Sequence, residues 1–302
     1  MWRYVVAAPG NVRGTLWMAL AALVFAMMNA LIRRVGADLH GFEIAFFRSV
    51  FGVMFLVPMI ASAGGLKVLK TARPKLHVLR AICGATTMLL SFYAFTRLPL
   101  ANATTLTFSQ PLFLLALAPF LLGETVGWHR RIAAAVGFGG VLIAAQPGAE
   151  GFSIASAAML AAALAMAFGM VCVKFLARTD SSLSIMGWFS VAAVIAAFGP
   201  ALAVWRHPTP GELALLVATG ALGTCGQYFY VRAYRIGEAS VVAPFNFLQL
   251  PFAAGFGYAL FGETPGWSTL VGGLVIVASV LYIMRREAVV HRKFQPPSSP
   301  VA

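Results

Sequence analysis

The chain has 302 residues, of which 60% are hydrophobic and only 10% charged, and it carries a formal net charge of +13. Soluble domains carry about 25% charged residues, so a mean hydropathy of +0.86 excludes an ordinary water-soluble fold and points to an integral membrane protein. The basic excess is spread over many short segments, which argues against nucleic acid as a partner and for a lipid bilayer with anionic headgroups.

A membrane-crossing helix needs about 20 apolar residues to cover ~30 Å of hydrocarbon. Such runs are expected at 13–35, 42–63, 75–96, 99–121, 129–147, 153–176, 183–205, 210–234, 240–261 and 267–285. Turn-forming residues separate them, among them Gly64-Gly65, Gly123-Glu124, Pro147-Gly148, His207-Pro208 and Gly262-Glu263. The runs are continuous and do not alternate every second residue, so a transmembrane barrel does not fit. The first run ends in Arg33-Arg34 without a small-residue cleavage site and reads as a retained helix. After Glu287 the chain becomes polar and Pro-rich, as a disordered tail would be.

With the amino terminus inside, seventeen Lys and Arg fall in cytoplasmic segments. Only Arg33, Arg34, Arg97 and Arg206 fall on the opposite side, and Arg48 lies within the second span. This positive-inside bias places both termini in the cytoplasm of a cell whose inner (plasma) membrane holds the protein. Cys83, Cys172 and Cys225 are isolated within spans, so neither disulfides nor zinc is indicated. His40, His77, His129, His207 and His291 lie in loops or at span ends, and no acid pair is embedded. An intramembrane enzyme therefore has no candidate catalytic group, and no cofactor is called for.

The chain also repeats itself. Gly123-Glu124-Thr125-Val126-Gly127-Trp128 returns 139 residues later as Gly262-Glu263-Thr264-Pro265-Gly266-Trp267. The same offset produces fourteen identities in the 59 positions from Gly84 to Leu142, including Phe108 with Phe247 and Gln110 with Gln249. Five spans per copy is an odd number, so the second copy starts on the opposite side of the membrane. The expected fold is all-α, ten transmembrane helices in two inverted five-helix repeats, residues 1–148 and 149–302. Inverted repeats make inward-open and outward-open states near-equivalent, which is the basis of alternating access.

The paired Gly-Glu-Thr turns resemble those of the drug/metabolite transporter superfamily, specifically the ten-span EamA-type proteins with two tandem units. So do the junctions Tyr93-Ala94-Phe95-Thr96-Arg97-Leu98-Pro99 and Arg232-Ala233-Tyr234-Arg235-Ile236-Gly237-Glu238. The resemblance covers about residues 14–285 and implies transport of a small-molecule substrate. It leaves open amino-acid and metabolite export or uptake of a cofactor-like solute of the S-adenosylmethionine or riboflavin type.

Polar side chains inside spans mark packing contacts or a pathway. Thr107 and Gln110 in the fourth span are three residues apart, on one helical face, and their repeat mates Asn246 and Gln249 are spaced alike. These four are candidates for a shared central cavity, with Asn29, Ser91, Tyr93, Gln227 and Tyr228 completing its lining. Pro111, Pro244 and Pro251 free backbone carbonyls nearby. Arg48 is either a clamp for a substrate carboxylate or a structural cation that snorkels outward or pairs with Glu43. Glu124 and Glu263 read as helix-capping turn residues. A polar-amide pocket with one cation suits a zwitterion such as an amino acid, with export the expected direction and uptake of a cofactor-like metabolite the alternative, and a monomer and a homodimer fit equally.

Overall fold

The structure, a computed structural model, describes residues 10–122, 127–146, 153–176, 179–237 and 242–294, and within them all regular structure is helical. In chain order the helices are α1 (Gly10–Val35), α2 (Gly41–Ser62), α3 (Pro74–Phe95), α4 (Leu100–Thr107), α5 (Gln110–Leu122) and α6 (Trp128–Ala145). The second half contributes α7 (Ile154–Leu176), α8 (Ser182–Ala203), α9 (Pro210–Ile236), α10 (Gln249–Phe261) and α11 (Trp267–Phe294). Short 3-10 turns at Gly65–Leu69 and Ala243–Leu248 precede α3 and α10.

Local chemistry sets the starts. Pro210 opens α9, Thr209 Oγ1 accepts from the Glu212 amide at 3.4 Å, and the Glu212 carboxylate accepts from the Thr209 amide at 2.7 Å, a reciprocal cap. Ser181 caps α8 by accepting from the Ser184 amide at 3.1 Å.

Among the described residues, seven stretches are long and apolar enough to cross a membrane: Val12–Val35, Gly41–Ser62, Pro74–Phe95, Leu100–Leu117, Ile154–Val173, Leu183–Ala203 and Pro210–Ala233. Arg131–Ala145 and Trp267–Ile283 are apolar but shorter. The run expected as one unbroken helix at 99–121 is divided. Pro111 has no amide proton, so α4 ends in a tight turn where the Phe108 and Ser109 amides donate to the carbonyls of Thr105 and Leu106. The run at 240–261 is likewise not a continuous α-helix, because residues 243–248 form a 3-10 turn before α10. With 13 residues, α10 spans about 20 Å, short of the hydrocarbon thickness.

The element boundaries repeat. α2 and α8 begin and end 141 residues apart, as α1 and α7 end, whereas α5 and α10 begin and end 139 apart. The packing repeats with the halves exchanged: α1 lies along α9 and α10, while α7 lies along α3 and α5. The pairs α2–α8 and α6–α11 close the bundle on themselves. Met18, Ala21, Ala22 and Ala26 of α1 are buried, and so are Met159, Ala162, Ala163 and Ala167 at the 141-residue offset in α7. The halves therefore interlock rather than form two separate bundles.

Corresponding helices run in opposite directions. The last turn of α1 meets the end of α3, where Arg33 Nη1 donates to the Thr96 carbonyl at 3.0 Å. The segment after α7 meets the start of α3, where His77 Nε2 and Asp180 Oδ2 are 2.6 Å apart and almost fully buried. Burial pushes the Asp180 carboxyl up, but hydrogen bonds from Thr71, His77 and Thr179 outweigh it and hold the group below the usual range. Trp188 Nε1 donates to the Leu69 carbonyl at 2.9 Å beside this pair.

Helices α6 and α11 approach closely. A Cβ on Gly272 would lie 2.6 Å from the Gly140 carbonyl oxygen and 2.7 Å from the Ala144 backbone nitrogen. Gly272→Val is therefore expected to force α6 and α11 apart, at a cost of about 1–3 kcal/mol or more, and to lower the thermal unfolding midpoint in detergent. Gly139→Ala, at a position with open space around it, serves as the control and leaves that midpoint unchanged.

Candidate functional site

The two interrupted runs meet inside the bundle. Phe108, at the break between α4 and α5, packs on its repeat mate Phe247 in the 3-10 turn, with ring centroids 4.8 Å apart. Thr107 and Gln110 flank Phe108, Asn246 and Gln249 flank Phe247, and all four are half-buried. The Thr107 hydroxyl donates to the Ala103 carbonyl at 3.0 Å and lies 3.3 Å from Met159 Sδ. Phe108 and Phe247 themselves were legible as an identity between the repeats, yet nothing in a linear pattern shows that they touch.

Arg48 lies seven residues into α2, and its guanidinium carbon is 5.9 Å from the Phe92 ring centroid. A Cβ on Gly223 of α9 would stand 2.8 Å from Nη2 and 3.1 Å from Nε, so the head group occupies space that this glycine leaves. Nε is buried without a hydrogen-bond partner. The expected structural pairing of Arg48 with Glu43 does not form among the described residues. Residues five apart on a helix differ by about 140° in direction, and Glu43 is instead fully buried near Arg206, His207 and Glu212.

The remaining candidates separate. Asn29 is buried on α1. Ser91 donates to the Met88 carbonyl at 3.1 Å, and Gln227 is half-buried on α9. Tyr93 sits at the end of α3, beneath the Arg97 guanidinium at 3.9 Å and close to His40 and Phe42. Tyr228 is 39% exposed, edge-on to Trp17 and accepting from Arg232 at 2.9 Å. The partners of these two tyrosines, His40, Phe42 and Arg97 for Tyr93 and Trp17 and Arg232 for Tyr228, are ones that position within a span does not encode.

Glu263 was expected to cap the helix that follows it. It reaches a different one, accepting from the Leu100 amide at the start of α4 at 2.8 Å through Oε2. Its other oxygen, Oε1, accepts from Arg33 Nη2 at 2.8 Å and Nε at 3.2 Å. With the Arg33–Thr96 bond, one carboxylate and one guanidinium tie the ends of α1, α3, α4 and α10 together. Thr269 of α11 donates to Asn102 of α4 at the same end, and a recess of about 50 Å³ opens beside Glu263, Asn102 and Gly257. Glu124, the repeat mate of Glu263, lies outside the described residues.

Two successive segments, residues 12–146 and 153–285, each match the EamA-like transporter family. The chain belongs to that family. This EamA-like protein is 31% identical over 274 residues to an S-adenosylmethionine uptake transporter of Rickettsia prowazekii, covering 91% of this chain and 93% of that one. It is 30% identical over 283 residues to a riboflavin transporter of Rhizobium johnstonii, with 93% of each covered. It is 29% identical over 277 residues to a pseudopaline exporter of Pseudomonas aeruginosa, covering 90% and 96%. A solved crystal structure of 17% sequence identity shares the fold, with a TM-score of 0.64 over 94% of this chain and 99% of that one.

In this EamA-like chain the Arg33–Glu263 pair is 22% and 18% exposed, dry enough for its charge-assisted bonds to contribute roughly 1.5–3 kcal/mol. Glu263→Gln should lower the thermal unfolding midpoint. Arg33→Gln combined with Glu263→Gln should be no worse than Glu263→Gln alone, because the two groups act as one unit. Strictly additive losses in that double-mutant cycle are the outcome incompatible with a shared latch.

Proposed function

We propose that this protein is a secondary transporter that moves a small zwitterionic metabolite across the inner membrane by alternating access. In this reading the chain crosses the membrane ten times as two inverted units, residues 1–148 and 149–302, with both termini cytoplasmic. The observation that carries it is the meeting of two repeat-related helix breaks at Phe108 and Phe247. Interrupted helices leave peptide groups without helical partners, which a membrane protein tolerates only where they are buried in protein or line a cavity. In transporters such interruptions form the substrate site at the repeat interface.

Thr107, Gln110, Asn246 and Gln249 then supply hydrogen bonds to the substrate, and the two phenylalanines supply an apolar surface that must part to admit it. Asn29, Ser91 and Gln227 extend the polar lining. Arg48, unpaired and confined by Gly223 and Phe92, binds the carboxylate of an amino-acid head group. An α-amino acid and S-adenosylmethionine share that head group, so the reading joins amino-acid transport to the activity named for the Rickettsia relative. Export and import use the same site, and the direction of net flux follows from the gradients imposed on it.

Two sets of substitutions test the site in proteoliposomes with radiolabelled amino acids, S-adenosylmethionine and riboflavin. Gln110→Leu and Gln249→Leu should each cut transport at least tenfold while insertion stays intact, since Leu is tolerated in a membrane helix; normal transport by both variants removes the central site. Arg48→Lys should raise the apparent KM, because an ammonium cannot reproduce the bidentate fork. Arg48→Gln should harm carboxylate substrates far more than their methyl esters, and equal losses for acid and ester end the clamp assignment.

A further inference from the structure

Arg80 is a second cation inside the bundle, and it points the unexpected way. It lies six residues into α3, about 9 Å along the axis from the end where His77 meets Asp180. An arginine near a helix end ordinarily turns its head back to the nearer interface, and helical side chains lean toward the N-terminus as well. Both tendencies would send Arg80 toward His77. Instead, a Cβ on Gly84, one turn deeper, would overlap Arg80 Nη1. A Cβ on Gly169 of α7 would lie 3.7 Å from the same nitrogen. The ring of Phe189 of α8 covers the guanidinium, with its centroid 4.5 Å from Cζ.

No carboxylate balances this charge among the described residues. The ion pairs there join Arg33 to Glu263, His77 to Asp180 and Arg206 to Glu212. Arg80 Nε is buried without a partner. Its Nη nitrogens make no hydrogen bond to a described protein group. A guanidinium held this way is costly unless something anionic shares its site.

Its surroundings also repeat those of Arg48. Gly84 and Gly223 are mates at the 139-residue offset, and Phe189 is the mate of Arg48 at the 141-residue offset of α2 and α8. Each glycine thus accommodates a guanidinium that is stacked on a phenylalanine, Phe92 for Arg48 and Phe189 for Arg80. Between the two sites runs a single ridge of α3, Arg80, Gly84, Met88 and Phe92, each four residues from the next, about 18 Å in all.

We propose that Arg80 is a second anion-binding residue of the translocation pathway, at the His77–Asp180 end, which receives the substrate's carboxylate when Arg48 at the other end does not hold it. This rests on the transport reading above. It adds that the pathway follows α3 and selects for a negative group at both ends.

Cys83 provides a test that needs no transport. A Cβ on Gly169 would lie 3.6 Å from Cys83 Cβ and 3.7 Å from Arg80 Nη1, so the thiol borders the site. The full chain carrying Cys172→Ala and Cys225→Ala keeps this single cysteine. In detergent, the anionic sulfonatoethyl methanethiosulfonate should modify it roughly tenfold or more faster than the cationic trimethylammonioethyl reagent. Arg80→Gln should abolish that preference and Arg80→Lys should keep it. With Arg80 intact, citrate should slow the anionic reagent while choline chloride of equal ionic strength does not, a readout that stands even if Arg80→Gln fails to fold. Equal rates, no reaction with either reagent, a preference that survives Arg80→Gln, or no effect of citrate each overturns the proposal. Those results would leave the site at the helix breaks standing, whereas transport by the Gln110 and Gln249 variants tests that site and not Arg80.

Discussion

Hydrocarbon offers a peptide group no hydrogen bond, so every interruption of a helix inside a membrane must be compensated by protein or by enclosed water. The bundle meets this demand where α4 gives way to α5 and where α10 begins. α4 closes with tight i→i−3 bonds at Phe108 and Ser109, the other half enters α10 through a 3-10 turn, and the two irregular segments lie against each other through Phe108 and Phe247. Pairing the breaks confines the irregular backbone to the interior, where α1 and α7 cover it from either half. The interlocking of the halves follows: neither could shield its own break alone.

Charge obeys the same constraint differently at the ends and in the interior. At the ends, guanidinium and carboxylate meet with good geometry, as in Arg33–Glu263 with its added bond to the Leu100 amide. In the interior, Arg48 and Arg80 have neither acid nor carbonyl among the described residues, but an aromatic face and the space left by a glycine. A cation over a ring gains about 0.5–2 kcal/mol, less than the penalty of a buried charge. Packing alone would therefore favour replacing both with apolar residues, which is the cost that the proposed anion sites offset.

Much of the fold was legible because hydropathy reports burial in lipid directly. Most long helices start and stop within a few residues of the expected runs, and the 139-residue register survives in the boundaries of α5 and α10. The exception is α11, which continues as helix to Phe294 where a disordered tail was expected after Glu287. The divided fourth run was harder to see. Leu100–Leu122 is apolar on both sides of the break, and although Pro111 marked the place, a proline can kink a membrane helix without ending it. The site was legible in residue type and spacing, as with Thr107, Gln110, Asn246 and Gln249, but not in reach. Glu263 caps a helix 163 residues earlier, and Arg80, counted with the cytoplasmic flank, extends into the bundle. Side-chain direction and long-range partners are properties of packing, and a linear pattern carries only their periodicity.

Under alternating access, the bonds at the Arg33 end must be exchanged for others when that end opens. The latch consists of one ion pair, one amide cap and one carbonyl bond, each contributing on the order of 1–3 kcal/mol. Opening therefore costs several kcal/mol, the scale of differential binding that moves a two-state equilibrium from mostly one form to mostly the other. A solute that forms a bidentate bond with a guanidinium in only one state supplies that difference. An extensive apolar interface at this end would have held it shut against any single ligand. On the proposed reading, a few strong polar bonds, mutually dependent and lost together, give instead an end that one substrate can open.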